Sequence, residues 1–533
     1  MTPEQLKLGH PNLAGTIAAT LANAQVDRFP DDDATFLKFH GVYQGDDRDL
    51  RKTGKKHIFM VRCRIPGGIV TPSQYLALDD LATRYANNTL RVTSRQGLQF
   101  HGVVKSGLGP LVKEINVTLL TTLSACGDVN RNVMAPPAPA MNGLAAEVRE
   151  HARQIAAALA PRTPAYHAIW IDGVQLNLNE DFTDPLYGKT YLPRKFKIGF
   201  AIPPHNDVDI FTHCCGFIAI ADTAGKLTGY NLVAGGGMGR SHGNKETFPR
   251  LADVIGFLPA EFAVVVARAA LTIHRDFGDR TNRKHARLKY ILADRGPHWF
   301  RAQLEQRTGF KLAEAKPVTF TTQGDSFGWH MQADGRLFLS LFVETGRIKG
   351  DLKTALRTVI GKFQPEIRLT PGNNVILANI TPADQPEITR LLAGHGGGTA
   401  LRRASMACVA LPTCGLAVAE SERYLPSLIT DIDALLAEVG LRDEEIVIRM
   451  TGCPNGCARP YMAEIGFVGK SPGLYQIWLG GNVASTRLNK LYRESVKDAA
   501  IVSELRPLLT RYAKERQTDE RFGDWCVRAV EFP

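Results

Sequence analysis

The stretch LRVTSRQGLQFHGV at 90–103 returns in altered form as IRLTPGNNVILANI at 367–380. Each copy reads as an extended run, a polar turn and a second extended run. The surroundings repeat as well. HIFMVRCR (57–64) is strand-like up to the break PGG. TPSQYLALDDLATRYAN then opens on a Thr at the N-cap and places Tyr75, Leu76, Leu81 and Tyr85 at helical spacing. In the later copy RLFLSLFVETGRI (336–348) predicts a strand and LKTALRTVIGKF (352–363) a helix. A period of about 280 residues is far too long for a solenoid. It implies a duplicated strand–helix–strand–strand unit whose halves meet at a pseudo-two-fold axis, and the crevice between such halves is a usual place for a cofactor.

The remainder divides around this repeat. Residues 1–54 form an amino-terminal arm. Segments 55–123 and 328–395 are the two halves of one ferredoxin-like domain. Residues 124–327 read as an α/β domain, and 396–533 as a third domain with an amphipathic helix over 424–440 (Tyr424, Leu425, Leu428, Ile432, Leu435, Leu436). The expected fold class is α+β, in three domains. The Gly-rich GYNLVAGGGMGRSHGNK (229–245) lacks the G-x-G-x-x-G spacing of a dinucleotide loop, so it predicts a close backbone approach to something bulky.

A chain of 533 residues with 44% apolar and 22% charged residues is ordinary globular material, enough for about three domains. No apolar run reaches the ~18 residues that span a bilayer. MTPEQLKLGHPNLAG lacks the basic and apolar regions of a secretory signal, which predicts a cytoplasmic protein with no membrane role. The formal charge is +11. The cations are interleaved with Gly, Thr and Gln, as in LRVTSRQGLQFHG and TYLPRKFKIGF. That pattern suits a pocket for a small polyanion and argues against nucleic acid.

Nine cysteines in a reduced compartment do not suggest a disulfide framework. Cys63, the pair Cys214–Cys215 and Cys526 read as buried bystanders. The other informative four fall as C-x5-C (Cys408, Cys414) and, 38 residues on, C-x3-C (Cys453, Cys457). Both pairs sit at irregular Pro/Gly turns. Zinc prefers tighter knuckles, and four unrelated core thiols would not need such turns. An iron–sulfur cluster suits them best, because irregular loops let backbone N–H groups point at the sulfurs.

ACVALPTCGLAVAESER and TGCPNGCARPYMAEIGFVGKSPG, with KFHGVYQGDDRD, VRCRIPGGIVT, RVTSRQGLQFHG, GDVNRNV, TYLPRKFK, GGGMGRSHGNK and DRTNRKHARLKY, resemble the sirohaem-containing sulfite and nitrite reductases. The likeness runs along almost the whole chain and is strongest to the hemoprotein subunit of assimilatory sulfite reductase. It implies six-electron reduction of sulfite to sulfide at a sirohaem coupled to a 4Fe–4S cluster, with nitrite reduction as the near alternative. An iron–sulfur electron carrier or nucleic-acid-modifying protein would explain the cysteines but not the arginine-rich motifs.

By the same resemblance Cys408, Cys414, Cys453 and Cys457 hold the cluster, and Cys457 bridges it to the haem iron. Arg91, Thr93, Arg95, Gln99, His101, Asn130, Arg194, Arg287 and Asn455 match holders of the macrocycle and its carboxylates. Arg62, Arg131, Lys195 and Lys197 match the substrate-binding cations, with Arg64 in support. Lys197 favours sulfite, since nitrite-specialised members tend to carry Asn there. The form ACGDVNRNV resembles members in which the cysteine, here Cys126, is crosslinked to a tyrosine, here Tyr43. No segment reads as a flavin or NADPH domain, so electrons are expected from a partner, either a flavoprotein reductase subunit or a ferredoxin.

Overall fold

The computed structural model describes residues 1–139, 143–165 and 182–533, together with the backbone of a short hairpin (Ile169–Ile171 and Val174–Leu176). Four sheets carry the chain's architecture. The first two belong to the repeat. One runs Val42–Asp46, His57–Arg62, Leu98–Val103, Leu90–Val92, Arg347–Ile348; the other runs Gly328–Met331, Leu337–Leu341, Val375–Ile380, Glu366–Leu369, Ile69–Val70. The last strand of each is donated by the other half. Arg347 pairs with Arg91, and Ile69 with Arg368, both antiparallel.

This exchange corrects the reading of 336–348 as one strand. The strand stops at Leu341, and Thr345 and Gly346 (φ 52° and 77°) turn the chain across to the opposite sheet. Glycine is required at the two crossing points. Gly68 has φ +75° and a Cβ there would lie 2.7 Å from Leu369 O; Gly346 has φ +77° and its Cβ would lie 2.7 Å from Val92 O. One apolar core, from Phe59 and Val61 to Leu377 and Ile380, runs through both halves. The helix Pro72–Tyr85 starts in a capping box, with Thr71 and Gln74 bonding each other's backbone, and buries Tyr75, Leu78 and Leu81.

A second duplication, not anticipated from sequence, links the remaining two sheets. Ile198–Ala201 lies parallel to Cys215–Ala221, which continues antiparallel through Leu227–Ala234 to Asp253–Pro259. Ile448–Thr451, Ile465–Ser471, Leu474–Leu479 and Lys490–Lys497 repeat that order, with Ser405–Ala407 added parallel at the edge. Even the connections match. Asp209 and Arg459, each left-handed (φ 50° and 54°), each open a single 3-10 turn before the next strand. Helices Ala263–Phe277 and Leu288–Thr308 cover the first of these sheets, and Leu425–Glu438 and Ile501–Glu515 the second. Among the described residues no helix is long and apolar enough to cross a membrane.

Candidate active site

Four loop systems meet at one cavity: the turn Ser94–Arg95 between repeat strands, the approach Lys195–Lys197 to a strand, the Gly-rich loop at Met238–Gly239, and the turn Asn455–Cys457. Arg95, Lys195, Lys197, Arg287 and Arg459 line it, and no carboxylate does. Arg459 is matched by Asp209, but the other four have no carboxylate partner among the described residues. Lys195 and Lys197 flank the buried Phe196, so strand alternation sends both to the cavity side. Burial, then Arg194, Arg287 and Arg131, bring Lys195 down to about 7. Burial and Lys195 itself hold Lys197 well below the ordinary lysine range. A cavity so charged is an anion site.

The glycines of 235–239 let this cavity close. A Cβ on Gly236 would fall 2.2 Å from Phe211 O, and one on Gly237 would fall 2.8 Å from the Arg287 guanidinium carbon. The bulky neighbour expected of this loop is in part Arg287. That guanidinium also donates to Cys214 Sγ at 3.5 Å. Burial pushes the Cys214 thiol up, and Arg287 together with Lys197 more than reverses it. Cys214 is buried, as its apolar context predicts, but its Arg287 neighbour was not legible there.

Behind the cavity stands a second group of cations. Arg62 and Arg131 both reach Ala125 O at 3.4 Å, and Arg131 Nε donates to Gly127 O at 2.9 Å. Tyr43 Oη is in direct contact with Cys126 Sγ beside them. Burial would raise the Cys126 thiol, but Arg131 and Arg62 hold it below its usual value. Burial and Cys126 push the Tyr43 phenol up, so the unlinked phenol is a poorer acid than free tyrosine. Asp128 anchors the group. It receives Arg283 at 2.8 Å, lies 3.7 Å from Arg194 and 3.6 Å from Lys7 of the arm, and is held down to about 2.

The other predicted holders divide by what they touch. Asn130 is fully buried with both side-chain polar atoms unbonded, and the Nε atoms of Arg95 and Arg287 are likewise buried and unbonded. Thr93 instead caps its own turn, accepting from Gly97 N and Arg95 N. Arg91 gives Nη2 to Thr345 O (2.9 Å) and Ala407 O (2.8 Å) and pairs with Glu422, tying the repeat to the first cysteine loop. His101 accepts from Arg347 Nη2 at 2.9 Å, and Gln99, in the amide orientation that satisfies both neighbours, accepts from Arg62 at 2.5 and 2.7 Å. Arg91, Thr93, Gln99 and His101 thus also make bonds inside the protein, at the place where the resemblance expects the macrocycle's holders. Arg64 also faces inward, onto Ala156 O.

The cysteine loops converge. Cys408 follows the strand Ser405–Ala407, and Cys453 follows Ile448–Thr451, its parallel neighbour. The Cys408 thiol is pushed up by burial and then by Cys457, Cys453 and Cys414, so all four sulfurs feel one another. Gly452 N donates to Cys408 Sγ at 3.4 Å and Asn455 Nδ2 to Cys453 Sγ at 3.5 Å. Among the described residues no three His, Cys, Asp or Glu side chains converge tightly enough for a single metal ion. Cys457 alone of the four also lines the cation cavity.

Two curated relatives are similar to this chain along nearly its whole length. The chain is 50% identical to the sulfite reductase (NADPH) hemoprotein beta-component of Methylobacterium nodulans, over 99% of this chain and 90% of that one. It is 49% identical to the protein of that name from Geobacillus kaustophilus, over 99% and 95%. The chain belongs to the sulfite and nitrite reductase family. Residues 51–117 and 330–395 match the family model described as Nitrite/Sulfite reductase ferredoxin-like half domain. Residues 150–312 match Nitrite and sulphite reductase 4Fe-4S domain, although the four cysteines lie later, in the second copy of that fold. The structure of Mycobacterium tuberculosis NirA protein shares the fold, with a TM-score of 0.80 and 23% identity over 99% of this chain and 96% of that one. The family's two groups fit the residues present: the mutually repelling thiols suit a cluster, and the unbonded donors of Arg95, Asn130 and Arg287 suit a polycarboxylate.

Proposed function

We propose that this chain is the catalytic hemoprotein of a sulfite reductase, reducing sulfite to sulfide with six electrons. The observation that carries this reading is the cavity where Cys457 faces four cations that have no carboxylate partner among the described residues. Cys408, Cys414, Cys453 and Cys457 would hold the 4Fe–4S cluster, with Cys457 shared by the haem iron. Arg91, Thr93, Arg95, Gln99, His101, Asn130, Arg194, Arg287 and Asn455 would hold the macrocycle and its carboxylates. When bound, sirohaem and cluster supply the iron that takes the substrate's sulfur and the relay for its electrons.

The protein's own part is binding and proton supply. Net consumption is HSO3⁻ + 6 e⁻ + 6 H⁺ → HS⁻ + 3 H2O. Arg62, Arg131, Lys195 and Lys197 would bind the anion, and Lys195 Nζ, brought down to about 7, suits proton donation to departing oxygens near neutral pH. Electrons would come from a partner protein, since the relatives' names join an NADPH-linked activity to a hemoprotein component. The sequence divisions at 55–123 with 328–395, 124–327 and 396–533 serve as the proposed domains.

The loaded protein, supplied with reduced methyl viologen, tests the proposal. Sulfide formed from sulfite at six electrons per sulfide is expected, with sirohaem bands in the visible spectrum. Ammonia from nitrite without sulfide from sulfite would replace it by nitrite reduction, and a bare cluster spectrum by simple electron carriage.

A further inference from the structure

Arg459 stands where the two duplications cross. Its Nη1 donates to Ser94 O and its Nη2 to Pro371 O, both at 3.0 Å. Ser94 and Pro371 hold equivalent places in the turns of the two ferredoxin-like halves, as LRVTS and IRLTP show. Its Nε pairs with Asp209, its own counterpart in the other repeat. Asp209 is fully buried and also receives Arg449 at 2.7 Å; burial would raise its carboxyl, but the two arginines hold it far below its usual range.

These bonds close a ring around the last turn of the cysteine loop. Ser94 Oγ donates to Cys457 O at 3.0 Å, while Ser94 O accepts from Arg459, two residues further on. Arg459 N donates to Gly456 O at 3.0 Å. The backbone at Arg459 is left-handed (φ 54°), a conformation that side chains with a Cβ adopt only under constraint. A salt bridge that served stability alone would not need that backbone or the carbonyl of Ser94. The guanidinium anchors three separate segments, at Ser94, Pro371 and Asp209, and the backbone that carries it holds Gly456–Cys457 at the cavity.

We infer that Arg459, held by Asp209, is the positioning residue that keeps Cys457 Sγ aimed into the cation cavity. The inference rests on the reading that Cys457 is shared between cluster and haem. Asp209, at the equivalent place in the repeat that carries none of the four cluster cysteines, serves the other repeat's turn.

The full-length protein tests this with Arg459→Gln and the near-isosteric Asp209→Asn, beside Cys457→Ser as control. Amide hydrogen exchange over 453–459 is read in the cofactor-free chain, and haem–cluster magnetic coupling per loaded haem is read by Mössbauer spectroscopy. Both positioning variants should exchange about tenfold faster over 453–459, with Leu425–Glu438 unchanged, and should lose coupling in chains that still carry haem and four irons. If Arg459→Gln fails to fold, Asp209→Asn carries the comparison alone. Wild-type exchange, or wild-type coupling per loaded chain in these variants while Cys457→Ser loses it, overturns the positioning role only. Coupling that survives in Cys457→Ser overturns the shared-ligand reading and this inference with it.

Discussion

Gln96 and Asn373 make the same hydrogen bond in opposite directions: Gln96 Nε2 donates to Leu369 O at 3.1 Å and Asn373 Nδ2 to Val92 O at 2.7 Å. Both are buried and left-handed, and each stitches its own turn to the other half's strand. Replacing either with Ala strands a buried carbonyl and should cost about 1–3 kcal/mol. Gln96→Ala should cost more, because Gln96 also bonds Ala135 twice while Asn373 Oδ1 has no partner. Urea midpoints give the order, and a larger loss for Asn373→Ala would contradict it.

Cys457→Ser should abolish sulfite reduction and disturb both cofactors together, since one sulfur would serve two metals. Iron and haem content with turnover by a viologen donor are the measurements. Full turnover with normal content would remove Cys457 from its shared place.

Lys197→Asn should lower kcat/KM for sulfite about tenfold or more and for nitrite by less. Sulfite carries more charge near neutral pH, so a lost cation costs it more. Equal losses for the two substrates would end the case for Lys197 as a discriminator.

Lys195 gives a pH signature in the cofactor-free chain. Its folded value, about 7, lies below the ~10.4 of an unfolded lysine. Between those values the unfolded chain binds more protons, so Lys195's contribution to stability rises with pH across that window. Lys195→Met should therefore melt above wild type at pH 7, by ~1 kcal/mol or more, and the gap should shrink toward pH 10. Melting curves that stay parallel from pH 7 to 10 would rule this out.

The contact of Tyr43 with Cys126 places the phenol at a thiol that Arg131 and Arg62 keep easy to ionise. With dioxygen taking up the two electrons and two protons released, Cys126 Sγ should join the Tyr43 ring carbon beside the hydroxyl as a thioether. Peptide mass spectrometry should find a linked tryptic pair lighter by two hydrogens. Complete alkylation of Cys126 after denaturation, with no linked peptide, would leave a free thiol.

The ferredoxin-like halves were legible because their turns keep a visible pattern, LRVTSRQG against IRLTPGNN. The second duplication was not, because its traces are short: Gly216–Phe217 against Gly466–Phe467, and Gly235–Gly236 against Gly480–Gly481. Geometry survived there while side chains diverged, even to opposite charge at Asp209 and Arg459. The cysteine set was readable from spacing and family likeness. Which strand residues face the cavity was harder. The resemblance named Arg91, Gln99 and His101 as holders, but it gave no sign that Glu422 and Arg347, distant in sequence, also take bonds from Arg91 and His101. Asp128 and Lys289 were invisible for the same reason: Lys289 is buried against the carbonyls of Gly237 and Gly239, and nothing local marks it.

The exchanged strands also set a timetable for synthesis. Leu90–Val92 has its outer edge covered only by Arg347–Ile348, so that edge stays open on the ribosome until the later segment has emerged. At ~5–20 residues per second this wait is on the order of 10–50 s. Through it a nascent chain displays an unpaired strand edge, the kind of surface that recruits other chains. Cells making this protein in quantity would need a chaperone that shields the first half until its last strand arrives.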